Sequence, residues 1–213
     1  MRSGVSAVVL AAGAGSRFGG GKLLAPYRGK LLIEAVLSEL REAPVDEIIA
    51  VVGESAGDEG EKLRRVCTPY GVRIVENPQW SEGISTSVKR GLAACGPEAG
   101  AAIVVLGDQP LVGAAAVERL ARAFEEGARV AVATYSGRPR NPALFAREVW
   151  PMLEEELSGD EGARGFLRRH PGLVTEVPCD DVADPTDVDT VEDLRRLQAR
   201  GSDKRARKKE ARR

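Results

Sequence analysis

The chain is poor in the groups that carry most acid-base and redox chemistry. His170 is the one histidine in 213 residues, so a histidine triad and a metal site built on several imidazoles are both excluded. Lying in "RRHPG", it reads as a residue at a helix end. Cys67, Cys95 and Cys179 are odd in number, scattered and without a CxxC pair. That usage suits a reducing compartment and offers no zinc-ligand spacing. No stretch approaches the ~18 continuous apolar residues of a membrane span, and the first residues lack the charged-then-apolar layout of a signal peptide. The expectation is a cytoplasmic protein without membrane contact.

A surplus of one charge sign is also missing: 31 Lys and Arg face 32 Asp and Glu, a net charge of -1. The balance hides an asymmetry. The segment "SDKRARKKEARR", residues 202–213, carries seven cations against two acids, +5, and leaves residues 1–201 with 24 cations and 30 acids, -6. An acidic body argues against a nucleic-acid-binding domain. The basic segment has no apolar residue larger than alanine and reads as a solvated, disordered tail after a single domain over 1–201.

Within that domain short apolar runs alternate with helical patterns. Residues 5–10, 46–52, 72–76, 101–106 and 129–134 read as strands, several apolar almost throughout, as strands covered on both faces should be. Ile33, Val36, Leu37 and Leu40, and again Val117, Leu120, Ala121 and Phe124, have the i, i+3, i+4, i+7 spacing of a helix face. The alternation predicts an α/β fold: a Rossmann-like three-layer sandwich with a mostly parallel central sheet and right-handed crossovers. The last third is less regular. "RPRNPALF" reads as an extended insertion, and "VWPMLEEEL", "GARGFLRRH" and "TVEDLRRLQAR" read as helices.

Such sheets bind ligands beyond the carboxyl ends of their strands, and three stretches sit there. The first is "VVLAAGAGSRFGGGKLL", residues 8–24. It is no Rossmann fingerprint, because after Gly13 and Gly15 the next glycine, Gly19, comes one residue late. It is no P-loop either, since Ser16 stands where the first glycine belongs and Leu23 where a Ser or Thr would hold magnesium. What remains is a glycine loop bearing Arg17 and Lys22, enough charge to face a triphosphate, or else a surface loop with chance cations. The second is "VVLGDQPLV", where Asp108 directly follows a buried run. It is either a rigid post for a hard cation or a turn or helix-cap aspartate. The third is "DDVADPTDVDTVEDL", residues 180–194. Asp189 or Thr190 could cap the following helix, which leaves other carboxylates free to join Asp108 around magnesium.

These motifs resemble a known family. "LAAGAGSRFGGGKLL" is similar to the LAAGxGxRxGxxK signature of GT-A-like nucleotidyltransferases. "LGDQPL" resembles the metal-binding motif of their molybdopterin nucleotidyltransferase branch. "ENPQWSEGISTSVKRGL", "RNPALF", "SGDEGARGFLRR" and "DVDTVEDL" resemble stretches of the molybdenum cofactor cytidylyltransferases. The likeness runs in order from about residue 5 to 200.

The resemblance implies roles by position. Arg17 and Lys22 would grip the triphosphate, and the backbone of Leu10, Ala11, Ala12, Gly13 and Gly15 would lie against the nucleotide. Gly83 and Ser87 would complete the base pocket. Asp108 and Asp189 would hold Mg2+, with Asp187 behind them. Asn141 stands where the family often has a histidine near the acceptor pocket, which leaves the acceptor open; Asn141 and Asp187 are the candidate acceptor-binding residues. The implied reaction is transfer of CMP from CTP to molybdopterin, or another phosphorylated acceptor, with pyrophosphate released. A molybdoenzyme is an implied partner. GTP as donor and a sugar phosphate as acceptor stay open, as do a non-catalytic delivery chaperone and a dehydrogenase. Against the last, the second strand end offers only Glu54 to take a ribose.

Deleting residues 202–213 is expected to leave turnover and melting temperature almost unchanged, since nothing in the segment can pack. Loss of several degrees in a thermal melt would show instead that the basic segment docks on the acidic body.

Overall fold

The computed structural model describes residues 4–13, 15–53 and 58–210; for residues 58 and 201–210 the description covers the backbone alone. In chain order the elements are β1 (Gly4–Ala11), a small hairpin of β2 (Pro26–Tyr27) and β3 (Lys30–Leu31), α1 (Leu32–Glu42), β4 (Glu47–Gly53) and α2 (Asp58–Cys67). Next come β5 (Arg73–Asn77), α3 (Ile84–Ala94), β6 (Ala99–Leu106), α4 (Gly113–Glu125), β7 (Val130–Tyr135) and β8 (Arg138–Ala146). The chain closes with α5 (Trp150–Glu156), α6 (Arg164–Arg169), β9 (Val174–Pro178) and α7 (Val191–Glu210).

Among the described residues the main sheet has seven strands in the order β5-β4-β1-β6-β8-β7-β9. β8 runs antiparallel to both its neighbours, and the other pairings are parallel. The apolar runs of β1, β4 and β6 are continuous because each has two buried faces. Val5, Ala7 and Val9 of β1, with Ala50 and Ile103 beside them, pack under α1, α2 and α4. Val8, Ile49, Val51 and Val104 point the other way, under α3, α5 and α6. The expected three-layer α/β architecture is the one observed.

Two expectations change in detail. The extended insertion "RPRNPALF" is a strand of the main sheet, β8, joined to β7 by a two-residue turn at Ser136 and Gly137. Both turn residues have positive φ (50° and 69°), the backbone that matches hairpin twist. Its ladder to β7 steps from Ala143 to Arg140, so Asn141 and Pro142 form a bulge, where a proline costs no ladder bond. The closing helix continues past residue 201, with helical backbone through Glu210. His170 does end a helix, following α6, and bonds to Glu156 at 2.6 Å. The three cysteines are free and buried. Among the described residues no helix is long and apolar enough to cross a membrane.

A third apolar cluster fixes the geometry that matters for function. Val188, just before α7, and Leu194 and Leu197 in its first two turns pack on Ala25, Tyr27 and Leu32, with Phe18 and Leu111 against them. The far end of the chain is thereby pinned beside the glycine loop at its beginning.

On the opposite layer α3 approaches β1 through Gly91, where a Cβ would stand 2.2 Å from Val8 Cγ1. Alanine there gains about 1 kcal/mol of helix propensity, but overpacking against a buried β-branched side chain costs about 1–3 kcal/mol. The clash should win. Gly91→Ala is therefore expected to lower the urea midpoint at unchanged slope, and a higher midpoint would contradict the close packing.

Candidate active site

β1, β4 and β6 finish level with one another, Leu10 beside Leu106 and Ala11 beside Val52. The chain leaving β1 then coils tightly. The amides of Phe18, Gly19 and Gly20 all donate to the Gly15 carbonyl, at 2.8–3.2 Å. Gly15 has φ 56°, where a side chain is strained by the backbone, and a Cβ on it would press on Lys22 Cβ at 3.2 Å. The coil turns Lys22 inward. Residue 14 lies outside the described residues, as does Glu54.

The charged groups expected from the sequence converge here. Lys22 Nζ lies 2.5 Å from Asp108 Oδ2 and 3.6 Å from Asp189 Oδ1, and Arg17 Nη1 lies 3.3 Å from Asp189 Oδ2. Lys22 and Asp108 are largely enclosed, whereas the Arg17 side chain is 78% exposed. Asp108 keeps a second oxygen, Oδ1, that is buried and has no hydrogen-bond partner among the described residues. It does not cap α4, which begins five residues later at Gly113.

The choice between Asp189 and Thr190 is also resolved. Thr190 caps α7: its hydroxyl accepts from the Asp193 amide at 3.1 Å, and the Asp193 carboxylate accepts from the Thr190 amide at 2.9 Å. The Thr190 hydroxyl beside Asp193 holds that carboxyl below its ordinary range. Asp189 is left for the cluster. Asp187 lies behind it and accepts from Gln109 Nε2 at 2.5 Å. Burial raises the Asp187 pKa; the Gln109 hydrogen bond opposes the rise, and the charges of Asp108 and Asp189 add to it.

A hard cation suits this donor set. Magnesium and its relatives are commonly held by one or two carboxylates plus substrate phosphates, not by a full protein cage. Among the described residues no group of three or more His, Cys, Asp or Glu is placed to hold a metal, but Asp108 and Asp189 share Lys22 and Asp108 has an oxygen to spare. Two carboxylates with an open side match phosphate-assisted binding.

A separate wall is built by α3 and the turn before it. Trp80 covers Gly53, where a Cβ would stand 3.1 Å from the indole and 3.3 Å from the Ala12 carbonyl. Gly83 has φ 120° and room for no side chain, since a Cβ would sit 2.4 Å from Gly159. The "SGDEG" loop thus buttresses Gly83. Ser87 is buried and bonded to Asn77 Nδ2 at 2.9 Å. Ala11 and Ala12 are nearly buried, and Leu10 packs into the core while its carbonyl accepts from the Gly107 amide.

Beyond Asp187 opens a groove of about 490 Å³ lined by Tyr135, Ser136, Arg138, Arg140, Pro185 and Thr186. Asn141 sits in the adjoining bulge and is not part of that lining. Sequence reasoning missed Arg138 and Arg140. The signal was two arginines at i and i+2, which a strand puts on one face, but it is legible only once the segment is known to be a strand.

Residues 7–174 match the family model described as MobA-like NTP transferase domain. The nicotine blue oxidoreductase of Paenarthrobacter nicotinovorans is 37% identical over 201 residues, covering 91% of this chain and 96% of that protein. The molybdenum cofactor guanylyltransferase of Mesorhizobium japonicum is 32% identical over 177 residues, covering 80% and 81%. The crystal structure of Rv0371C from Mycobacterium tuberculosis H37Rv, in complex with manganese, superposes with a TM-score of 0.75 at 29% identity, covering 93% of this chain and all of that one.

Asp108→Asn keeps the shape and removes the charge beside Lys22. It is expected to lower turnover by about 100- to 1,000-fold, the scale of losing one major electrostatic stabiliser. Melting should stay near wild type, because the residue lies past the strand end. Near wild-type turnover in the folded variant would remove Asp108 from the chemistry.

Proposed function

From the premise that this chain belongs to the MobA-like NTP transferase family, a family of nucleotidyltransferases, we propose that it transfers CMP from CTP to a phosphorylated acceptor. The favoured acceptor is molybdopterin, within molybdenum cofactor maturation. The observation that carries the proposal is the convergence of Arg17, Lys22, Asp108 and Asp189 at the strand ends, with one Asp108 oxygen buried and without a hydrogen-bond partner among the described residues.

The reaction is an in-line displacement. An oxygen of the acceptor's terminal phosphate forms a bond to the α-phosphorus, and the bond from that phosphorus to the pyrophosphate oxygen breaks. The attacking phosphate is already ionised at neutral pH, so no general base is required. The absence of histidine near the site is no obstacle. Lys22, drawn from Asp108 toward the phosphates, would neutralise charge as pyrophosphate departs, while exposed Arg17 would grip its outer oxygens. Asp108 and Asp189 would hold a divalent cation, magnesium in this proposal, which supplies further charge neutralisation at the phosphate oxygens. The groove carrying Arg138 and Arg140 lies across Asp187 from this cluster and offers cationic entry for the acceptor.

The decisive experiment is a nucleotide-by-acceptor screen read by pyrophosphate release, with molybdopterin among the acceptors. Release with CTP and molybdopterin together, and with neither alone, is the expected result. One observation favours a second function, since the relative from Paenarthrobacter nicotinovorans is named for a redox reaction. Oxidation of a reduced nicotinamide by nicotine blue as the electron acceptor, catalysed by the purified protein and with no pyrophosphate released from any pairing, would put that function in its place.

Base choice rests on Ala12. In this reading the methyl group would take up space that a glycine leaves for a purine against the backbone, and one such group in a tight pocket is worth about 1–3 kcal/mol, or roughly 10- to 200-fold. CTP is expected to outcompete GTP at equal concentration, and Ala12→Gly to narrow the gap. A wild-type preference for GTP would overturn the cytidylyl assignment and leave nucleotidyl transfer standing.

A further inference from the structure

Gln109 is almost fully buried, only 4% exposed, at the mouth of the site. Its amide nitrogen donates to the Pro185 carbonyl at 3.1 Å and to Asp187 Oδ1 at 2.5 Å. On either side the backbones are tied as well. The Val188 amide donates to the Asp108 carbonyl at 3.1 Å, and the Asp184 amide to the Leu111 carbonyl at 3.0 Å. The loop after β6 and the segment before α7 therefore run side by side, and Gln109 supplies the side-chain tie between them. Asp108, directly before Gln109, and Asp189, directly after buried Val188, are the two carboxylates that meet at Lys22.

We propose that Gln109 is a positioning residue that locks the segment 185–189 onto the end of β6 and so fixes the distance between Asp108 and Asp189. The inference rests on the proposed cation site and adds to it a residue that touches neither nucleotide nor metal. The physical argument is one of opposing forces. Lys22 bridges the two carboxylates in this structure, and once it turns to the phosphates they repel until a cation replaces it; the segment carrying Asp189 is anchored on its far side by the Thr190 cap and by Val188 in its apolar cluster. A donor with two hydrogens on one nitrogen can bond a carbonyl and a carboxylate of the same segment at once. Those two bonds resist the recoil of the segment. A side chain without a donor would leave the Pro185 carbonyl and the Asp187 oxygen unserved, and the pair of ligands would spread.

The test measures Mn2+ directly, by its free electron paramagnetic resonance signal, with the full-length protein and a non-hydrolysable CTP analogue. Gln109→Met keeps the volume and removes the donor; it should weaken Mn2+ binding by about 10- to 100-fold, the usual effect of losing an outer partner of metal ligands. Analogue binding without metal should stay within about twofold of wild type. Asp187→Ala and Asp187→Asn give a second route that leaves β6 untouched, should Gln109→Met not fold. Alanine removes the acceptor and should weaken Mn2+ similarly, whereas asparagine keeps an accepting oxygen and should stay nearer wild type. Wild-type Mn2+ affinity in Gln109→Met, or equal losses in the two Asp187 variants, would overturn the positioning role. Asp108→Asn separates the two levels of argument. If it weakens Mn2+ while Gln109→Met does not, the positioning inference alone falls. If neither does, the cation site beneath it falls as well.

Discussion

The constraint on which the arrangement depends is the crowding of carboxylates at one strand end. Asp108, Asp187 and Asp189 sit close enough for the first and last to raise the Asp187 pKa. Near a protein surface two unit charges 4 Å apart interact by about 4 kcal/mol, so such a group is tolerable only among cations and donors. Lys22 serves two of the three, Arg17 serves Asp189, and Gln109 serves Asp187. The same groups that compensate the protein without substrate are those a triphosphate and its cation would engage. Binding then exchanges partners and creates no new uncompensated charge.

Satisfying that constraint requires residues as far apart in the chain as Arg17 and Asp189, 172 positions, to meet, and the fold arranges this by topology. β1 and β6 are parallel neighbours, so the loops after both open on one edge. The glycine loop delivers Lys22 from one, and the "GDQP" turn delivers Asp108 from the other. Asp189 arrives by a different route, through apolar packing of Val188, Leu194 and Leu197 on the β2–β3 hairpin. Hydrophobic burial thus sets the position of a charged group that would otherwise be repelled.

How much was legible in the sequence follows from the same division. β1, β4 and β6 announced themselves because burial on both faces makes a strand apolar throughout. β8 did not, since its exposed half, Arg138 to Arg140, sits on a hairpin end facing water and its bulge holds a proline. Asp108 and Lys22 stood out by their place after apolar runs. Asp189 and Thr190 could not be separated from sequence, because either is a good helix cap and only the Thr190–Asp193 bonds decide. Gln109 gave no signal at all: a polar residue after an aspartate looks solvated until the segment that covers it is in place.

A final consequence concerns the lack of histidine, with which the sequence is so sparing. An active site that moves protons needs a group titrating near neutrality, and the one histidine is engaged with Glu156 at the end of α6. What this site holds instead is fixed charge. Lysine and arginine side chains as a class are cationic across the physiological range, and one buried oxygen of Asp108 has no hydrogen-bond partner among the described residues. Chemistry supported by such a set must begin with a nucleophile already ionised and end with a leaving group stable as an anion. Phosphate attack with loss of pyrophosphate meets both conditions, whereas attack by a neutral hydroxyl would also need a proton acceptor.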